Sequence, residues 1–345
     1  MNPSEKHTLE IDSVELSFGD RRILSGVYLA VETGGVSAVL GRNGCGKSCL
    51  MKILCGSLQA GFRSMRIDGV WHDRFRADEV RYLPQQGFIP GWLTLDRVLR
   101  DYDMTRGDLL KWFPLFEKLF GTKIYAMSGG ERRILECYLI LRSPTRFVLL
   151  DEPFSALDHY LKWKLELELR EVLRAYDGAA LLVSHDRGEV YRMASRAAVI
   201  DRGQMQAVHT RDELFENPRT LAATLLTGCK NVSKAERLDA HHIRAEDWQL
   251  TLNVTDGEPQ CVAYAGLRAH FLEYREGAEN PQNNIFSMEV TDVIEDTFSY
   301  LVMIRRAGHE AASIRWELPK EEWRAIEAPR LSVYFPPEKI MLMES

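Results

Sequence analysis

An α/β domain followed by a smaller all-β domain is the fold the sequence predicts, and three observations predict it. Residues 8 to 31 alternate apolar and polar (Leu9, Ile11, Val14, Leu16, Phe18, then Ile23, Val27, Leu29, Val31), the period of strands with one covered face. Three later runs, Val36 to Leu40, Phe147 to Leu150 and Ala179 to Val183, are short, continuous and aliphatic, as suits parallel strands buried on both faces with helices between them. From about Cys229 helical periodicity fades, and strand-like segments appear at Val262 to Tyr264, Phe286 to Val293, Tyr300 to Ile304, Ala312 to Trp316 and Leu331 to Phe335, parted by Gly, Asn and Pro.

The first run predicts an antiparallel pair that opens the fold. The aliphatic runs predict the central sheet, and Leu157, Leu161, Leu165, Leu169 and Leu173, at steps of four, predict a helix that covers it. A chain of 345 residues exceeds one ordinary domain, so the boundary is placed at 228/229, giving 1–228 and 229–345, with a helical subdomain at about 86–144. Hydrophobic residues at 45% and charged residues at 27% are those of an ordered globular protein. The net charge of −6, with no Lys/Arg run, argues against a nucleic-acid partner. The first residues lack the basic and apolar regions of a signal peptide, and no uncharged apolar run reaches about 18 residues. The expectation is a cytoplasmic chain that does not itself cross a bilayer. Six cysteines without Cys-x-x-Cys pairs read as reduced thiols, and His241-His242 lacks a third metal ligand at recognisable spacing.

Directly after Leu40 come Gly41, Arg42, Asn43, Gly44, Cys45, Gly46, Lys47 and Ser48, then Leu50, Ile53 and Leu54 at helical spacing. Strand, glycine loop and helix in that order make a P-loop, in which successive N–H groups turn inward on a phosphate and the helix start adds positive charge. Lys47 then reaches the β and γ phosphates of ATP, and the Ser48 hydroxyl ligates Mg2+. Phe147 to Leu150 ends in Asp151-Glu152, which supplies a carboxylate for the Mg2+ shell (Asp151) and one to orient and deprotonate the attacking water (Glu152). Alone, two acids after a strand read as a solvated turn; the P-loop reverses that reading.

Between these motifs lies Met127-Ser128-Gly129-Gly130-Glu131, which resembles the signature of the ATP-binding-cassette (ABC) ATPases. Further resemblances follow in the family's order. Tyr82-Leu-Pro-Gln85 is similar to its Q-loop, Ser155-Ala-Leu-Asp158 to its D-loop, and Val183-Ser-His185-Asp186 to its switch histidine. Phe18 lies 23 residues before Gly41, where the family has an aromatic on adenine, although by itself it reads equally as core. The resemblance implies an ABC-type P-loop NTPase over about 1–228. It also implies a homodimer that sandwiches two ATP molecules, each held by one copy's P-loop and by Ser128 and the N–H groups of Gly129 and Gly130 of the other. It assigns Glu152, His185 and Gln85 to catalysis, Gln85 also to Mg2+, and residues 41 to 49 to ATP.

Cys45, Cys49 and Glu131 depart from the commonest pattern without removing a named catalytic group. A helix start favours thiolate, so Cys45 and Cys49 read either as oxidation-sensitive or as small buried side chains.

One P-loop and only 80 residues from Ser48 to Ser128 favour a transporter subunit over two-cassette or coiled-coil relatives. Such a subunit docks on integral membrane permease subunits at the inner face of the membrane and is served indirectly by a solute-binding protein. Phe88, Ile89, Trp92, Leu93 and Leu95 read either as the docking surface or as internal packing. Val262 to His270, Leu226 to Asn231 and the strands from Phe286 to Phe335 resemble the OB-like (TOBE/Mop) regulatory domain of importer ATPases, most nearly those for molybdate and sulfate. Ferric-iron, polyamine and sugar importers share the architecture, and a non-transport regulator is the alternative. Asn283, Asn284 and Ser287 are candidates for an oxyanion contact, and also turn residues.

Overall fold

The structure is a computed structural model that describes residues 6–155, 157, 159–255 and 259–344. It divides into two compact units at Arg211/Asp212. In the first, β1 (Thr8–Phe18) and β2 (Arg21–Glu32) pair antiparallel from Thr8↔Glu32 to Phe18↔Arg21. Their alternation places Leu9, Ile11, Val14 and Leu16 in the core. There follow β3 (Gly35–Leu40), α1 (Lys47–Leu54), β4 (Phe62–Ile67), β5 (Val70–Trp71) and β6 (Val80–Leu83). Three helices come next, α2 (Leu95–Asp101), α3 (Arg106–Trp112) and α4 (Gly129–Arg142), all within the 86–144 segment. The chain returns through β7 (Phe147–Asp151), α5 (His159–Arg174), β8 (Ala179–Ser184), α6 (Arg187–Met193), β9 (Arg196–Asp201), β10 (Gln204–Met205) and β11 (His209–Thr210).

Among the described residues these strands make two sheets. One is the antiparallel β2-β1-β4-β5, and the other runs β10-β9-β3-β8-β7-β6 with β11 on β9. β9, β3, β8, β7 and β6 are parallel. Every residue of β7 and β8 is buried, which is why their sequences are unbroken aliphatic runs. Parallel strands discharge their C-terminal loops along one edge, where open α/β sheets bind ligands. That edge receives the loops after Leu40, Leu83, Asp151 and Ser184 together.

The second unit contains α7 (Arg211–Glu216), which begins at the division, and α8 (Leu221–Leu226). Its strands are β12 (Asn231–Arg237), β13 (His242–Ala245), β14 (Leu250–Asn253), β15 (Tyr264–Leu267), β16 (Glu273–Tyr274), β17 (Ile285–Glu295), β18 (Ser299–Arg306) and β19 (Ile314–Pro319). Then come α9 (Lys320–Ile326), β20 (Arg330–Tyr334) and β21 (Met341–Met343). Two five-stranded sheets, β14-β13-β12-β15-β21 and β16-β20-β17-β18-β19, enclose Trp248, Trp316, Phe286 and Phe335.

The division falls earlier than the expected 228/229 because the segment up to Cys229 is fastened to the β-rich unit. Arg268 donates to the carbonyls of Thr227 (2.8 Å) and Phe215 (2.5 Å), and Thr224 Oγ1 lies 3.0 Å from Met343 Sδ. Of the helix stripe, Leu165, Leu169 and Leu173 are buried, whereas Leu157 precedes α5. No helix of the described residues is long and apolar enough to cross a membrane.

Candidate active site

The phosphate loop is shaped by what its glycines permit. A Cβ on Gly41 would lie 2.7 Å from Cys45 Sγ, Ile200 Cγ2 and the Ile200 carbonyl, and Gly46 adopts φ +108°. Gly46 is the N-cap of α1 and offers no side-chain acceptor, so the first N–H groups of the helix are left for an anion. Lys47 is buried, and its Nζ donates to the carbonyls of Gly41 (2.8 Å) and Arg42 (3.1 Å). It also lies 3.3 Å from Glu152 Oε1, in a pair of which both members are buried.

Ser48 Oγ donates to Asp151 Oδ1 at 3.0 Å, and Tyr82 OH donates to Asp151 Oδ2 at 2.9 Å. Burial pushes the Asp151 carboxyl above its ordinary range, against the lowering effect of those two hydrogen bonds. A hydroxyl beside a desolvated carboxylate is a set of hard oxygen donors. It fits Mg2+, which takes one or two protein oxygens and fills its octahedron with phosphate and water. The phenol of Tyr82 is pushed well up by burial and by the neighbouring Asp151 charge, so it stays a donor.

Glu152 has φ +47°, a left-handed conformation that costs a residue with a β-carbon about 1–2 kcal/mol. Its N–H donates to Val183 O at 3.0 Å, and Oε2 lies 2.7 Å from His185 Nδ1. The structure thus brings Lys47, Ser48, Asp151, Glu152 and His185 into one network. Gln85 is exposed just past β6, the neighbour of β7 in the sheet, with Leu83 paired to Leu150. His185 is flanked by its own anchors. Ser184 Oγ donates to Glu189 Oε2 (2.5 Å), and Lys162 contacts both Asp186 (2.5 Å) and Glu189 (2.6 Å).

Ser128 is the N-cap of α4. Its hydroxyl accepts from Glu131 N at 3.2 Å while Glu131 Oε2 accepts from Ser128 N at 2.7 Å, a complete capping box. Ser128 and Gly129 therefore stand at an exposed helix start. Asp158 of the expected D-loop lies outside the described residues, as does Ala156.

Several expectations change. Phe18 is 54% exposed at the end of β1, so it is not a core residue. Cys45 and Cys49 are both held as thiols: burial raises them by more than Lys47 and the loop amides lower Cys45, or than Lys52 lowers Cys49. The thiolate expected from the helix start is thus not favoured. Asn284 is buried, with its Nδ2 donating to Asn253 O (2.8 Å) and Phe335 O (2.9 Å) and its Oδ1 accepting from Asn253 N (2.7 Å). Its amide is spent holding the fold, so the turn reading stands. His242 Nδ1 pairs with Asp239 at 2.8 Å, and no group of three or more metal-binding side chains occurs among the described residues.

Sequence reasoning missed Tyr82 as a partner of Asp151, and it missed Arg133 and Glu136. The latter two are buried on α4 in the continuous buried stretch Arg133 to Leu141. Opposite charges three apart within an apolar helical run were the available signal.

A β-strand, glycine loop and helix beside a strand-end acid pair define a P-loop nucleoside triphosphatase. Residues 24–155 match the family model described as ABC transporter. The Fe(3+) ions import ATP-binding protein FbpC 3 of Rhodococcus jostii is 28% identical over 236 residues, spanning 64% of this chain and 68% of that protein. The putrescine transport ATP-binding protein PotG of Escherichia coli is 27% identical over 236 residues, 65% and 63% respectively. The uncharacterized ABC transporter ATP-binding protein YdcT of the same species is 26% identical over 297 residues, 79% and 88%. The chain thus spans about two thirds of the length of the first two. A solved structure described as an ATP binding subunit of an ABC transporter shares the fold at 22% identity and TM-score 0.51, covering 60% of this chain and 91% of that one. Residues 24–155 thus match the ATP-binding domain of the ABC transporter family, and the enzyme class which that match supports is ATPase.

Proposed function

We propose that this chain is the ATP-hydrolysing subunit of a multi-chain importer, working as a homodimer on separate membrane permease subunits at the cytoplasmic face. The observation that carries the reading is the network in which buried Glu152 touches both buried Lys47 and the exposed His185, with Ser48 and Asp151 joined beside it. The triphosphate lies on the amides of residues 41 to 48, with Phe18 offering an exposed ring to the base. Ser48 and Asp151, with Gln85 from the adjoining loop, would hold Mg2+, which when bound neutralises charge on the β and γ phosphates. Glu152 accepts a proton from the attacking water, and His185, whose Nδ1 lies 2.7 Å from that carboxylate, orients it. Ser128 and the α4 amides close on the phosphate held by the second copy.

Trp92 and Tyr125 support the docking reading. Both are exposed, and Tyr125 N donates to Gly91 O at 2.9 Å, which sets them side by side on the helical segment. The β-rich second unit, two antiparallel five-stranded sheets around one core, supports an OB-like regulatory domain. The relatives' printed functions favour a ferric-iron or polyamine solute over the molybdate and sulfate class, since Asn284 is committed internally.

Glu152→Gln tests the chemistry. Turnover should fall by about 10²–10⁴-fold, the worth of a positioned general base, while ATP binding persists and ATP stabilises a dimer measurable by light scattering. Hydrolysis at the wild-type rate rejects the role.

A further inference from the structure

The charge pair buried on the Ser128 helix reaches, through hydrogen bonds, two segments at the Lys47 network, 151–153 and 84–88. Arg133 Nε donates to Pro153 O at 2.7 Å, and one terminal nitrogen donates to Pro84 O at 2.8 Å. The other terminal nitrogen lies 3.4 Å from the carbonyls of both Asp151 and Glu152. One guanidinium therefore holds the chain on either side of Glu152 and the residue before Gln85. Glu136 accepts from Arg133 at 3.2 Å, and its other oxygen accepts from the N–H of Phe88 at 3.0 Å. Gly87 lets that approach occur, because a Cβ there would lie 2.9 Å from Glu136 Oε1.

Both charges are buried, and a buried pair is a poor source of stability compared with apolar packing. What it supplies is geometry: a planar, five-donor fork on the main-chain carbonyls of Pro84, Asp151, Glu152 and Pro153. One of those carbonyls belongs to Glu152, whose left-handed backbone persists only if its surroundings enforce it.

We propose that Arg133 and Glu136 are positioning residues that register the Ser128 helix to Glu152 and to the chain following Gln85, so that any displacement of that helix is delivered to both at once. The inference rests on the role given to Glu152 above.

Arg133→Gln and Glu136→Gln, singly and together, test it. In each single variant kcat should fall by about 10- to 100-fold, the cost of a misplacement near 1 Å, while ATP affinity stays within about two-fold because Lys47 and Ser48 are untouched. The double variant should be no worse than the poorer single one, as expected of one coupled unit. A kcat within about two-fold of wild type, or kcat and affinity falling together, overturns the proposal. Should Arg133→Gln not fold, Glu136→Gln decides alone, since its amide oxygen still accepts from Phe88 while its NH2 group can no longer accept from Arg133. If Glu152→Gln leaves turnover intact, the functional reading fails; if Glu152→Gln behaves as expected and these variants do not, only the positioning role fails.

Discussion

Placing a methyl group on Gly41 separates steric closeness from backbone strain in the phosphate loop. The added carbon would lie 2.7 Å from three heavy atoms. Cys45 Sγ and Ile200 Cγ2 can turn aside, but the Ile200 carbonyl belongs to β9, which is hydrogen-bonded into the sheet beside β3. Relief requires the loop to move off the strand, which puts Gly41→Ala at the upper end of overpacking costs, about 3 kcal/mol. For a unit of about 200 residues this lowers the midpoint of thermal unfolding by roughly 6–12 °C. Gly44→Ala is the control, because Gly44 has φ +81° but nothing within 4 Å. It carries only the conformational cost, about 1 kcal/mol and roughly 2–4 °C. Melting curves followed by circular dichroism without nucleotide compare the two. A Gly41→Ala midpoint equal to or above that of Gly44→Ala refutes the packing argument.

Asp151 is an acid raised by burial, so the native state holds its proton more tightly than the unfolded chain does. Its contribution to stability is full below about pH 3.9 and is lost as pH rises through the raised folded value. Asp151→Asn should therefore raise apo-protein stability at pH 7, by an amount that shrinks toward pH 4, while abolishing Mg2+-dependent turnover; urea unfolding across that range checks the sign. Ser128→Ala removes the α4 cap and should cost about 1 kcal/mol in the isolated chain. It should also abolish the ATP-stabilised dimer, and a dimer that survives in light scattering denies Ser128 its place on the second copy's phosphate.

The parallel strands were legible because both faces are covered, so every position of Phe147–Asp151 except the terminal acid is apolar. The phosphate loop was legible because close approach forces glycine at Gly41 and left-handed backbone favours it at Gly44 and Gly46. β12 was not. Its inward positions are Asn231, Ser233 and Ala235, so no apolar alternation marks it. Asn231 earns its burial through bonds to both main-chain groups of Arg315 at 2.7 and 2.8 Å, a partnership 84 residues away. Arg133 was hidden for a related reason, since apart from Glu136 its acceptors are main-chain oxygens, which carry no side-chain signature. The buried parallel strands and signature motifs thus declared themselves locally, whereas the ties that align them depend on tertiary proximity.

The contact between Lys47 and Glu152 makes the resting pocket an ion exchanger. Its ammonium is already neutralised by a carboxylate of the same chain, so an incoming γ-phosphate substitutes one anion for another and no bare cation is left in a dry interior. Glu152 also lies 2.7 Å from the imidazole of His185. With the roles proposed above, nucleotide binding at Lys47 would release the proton acceptor in the same event.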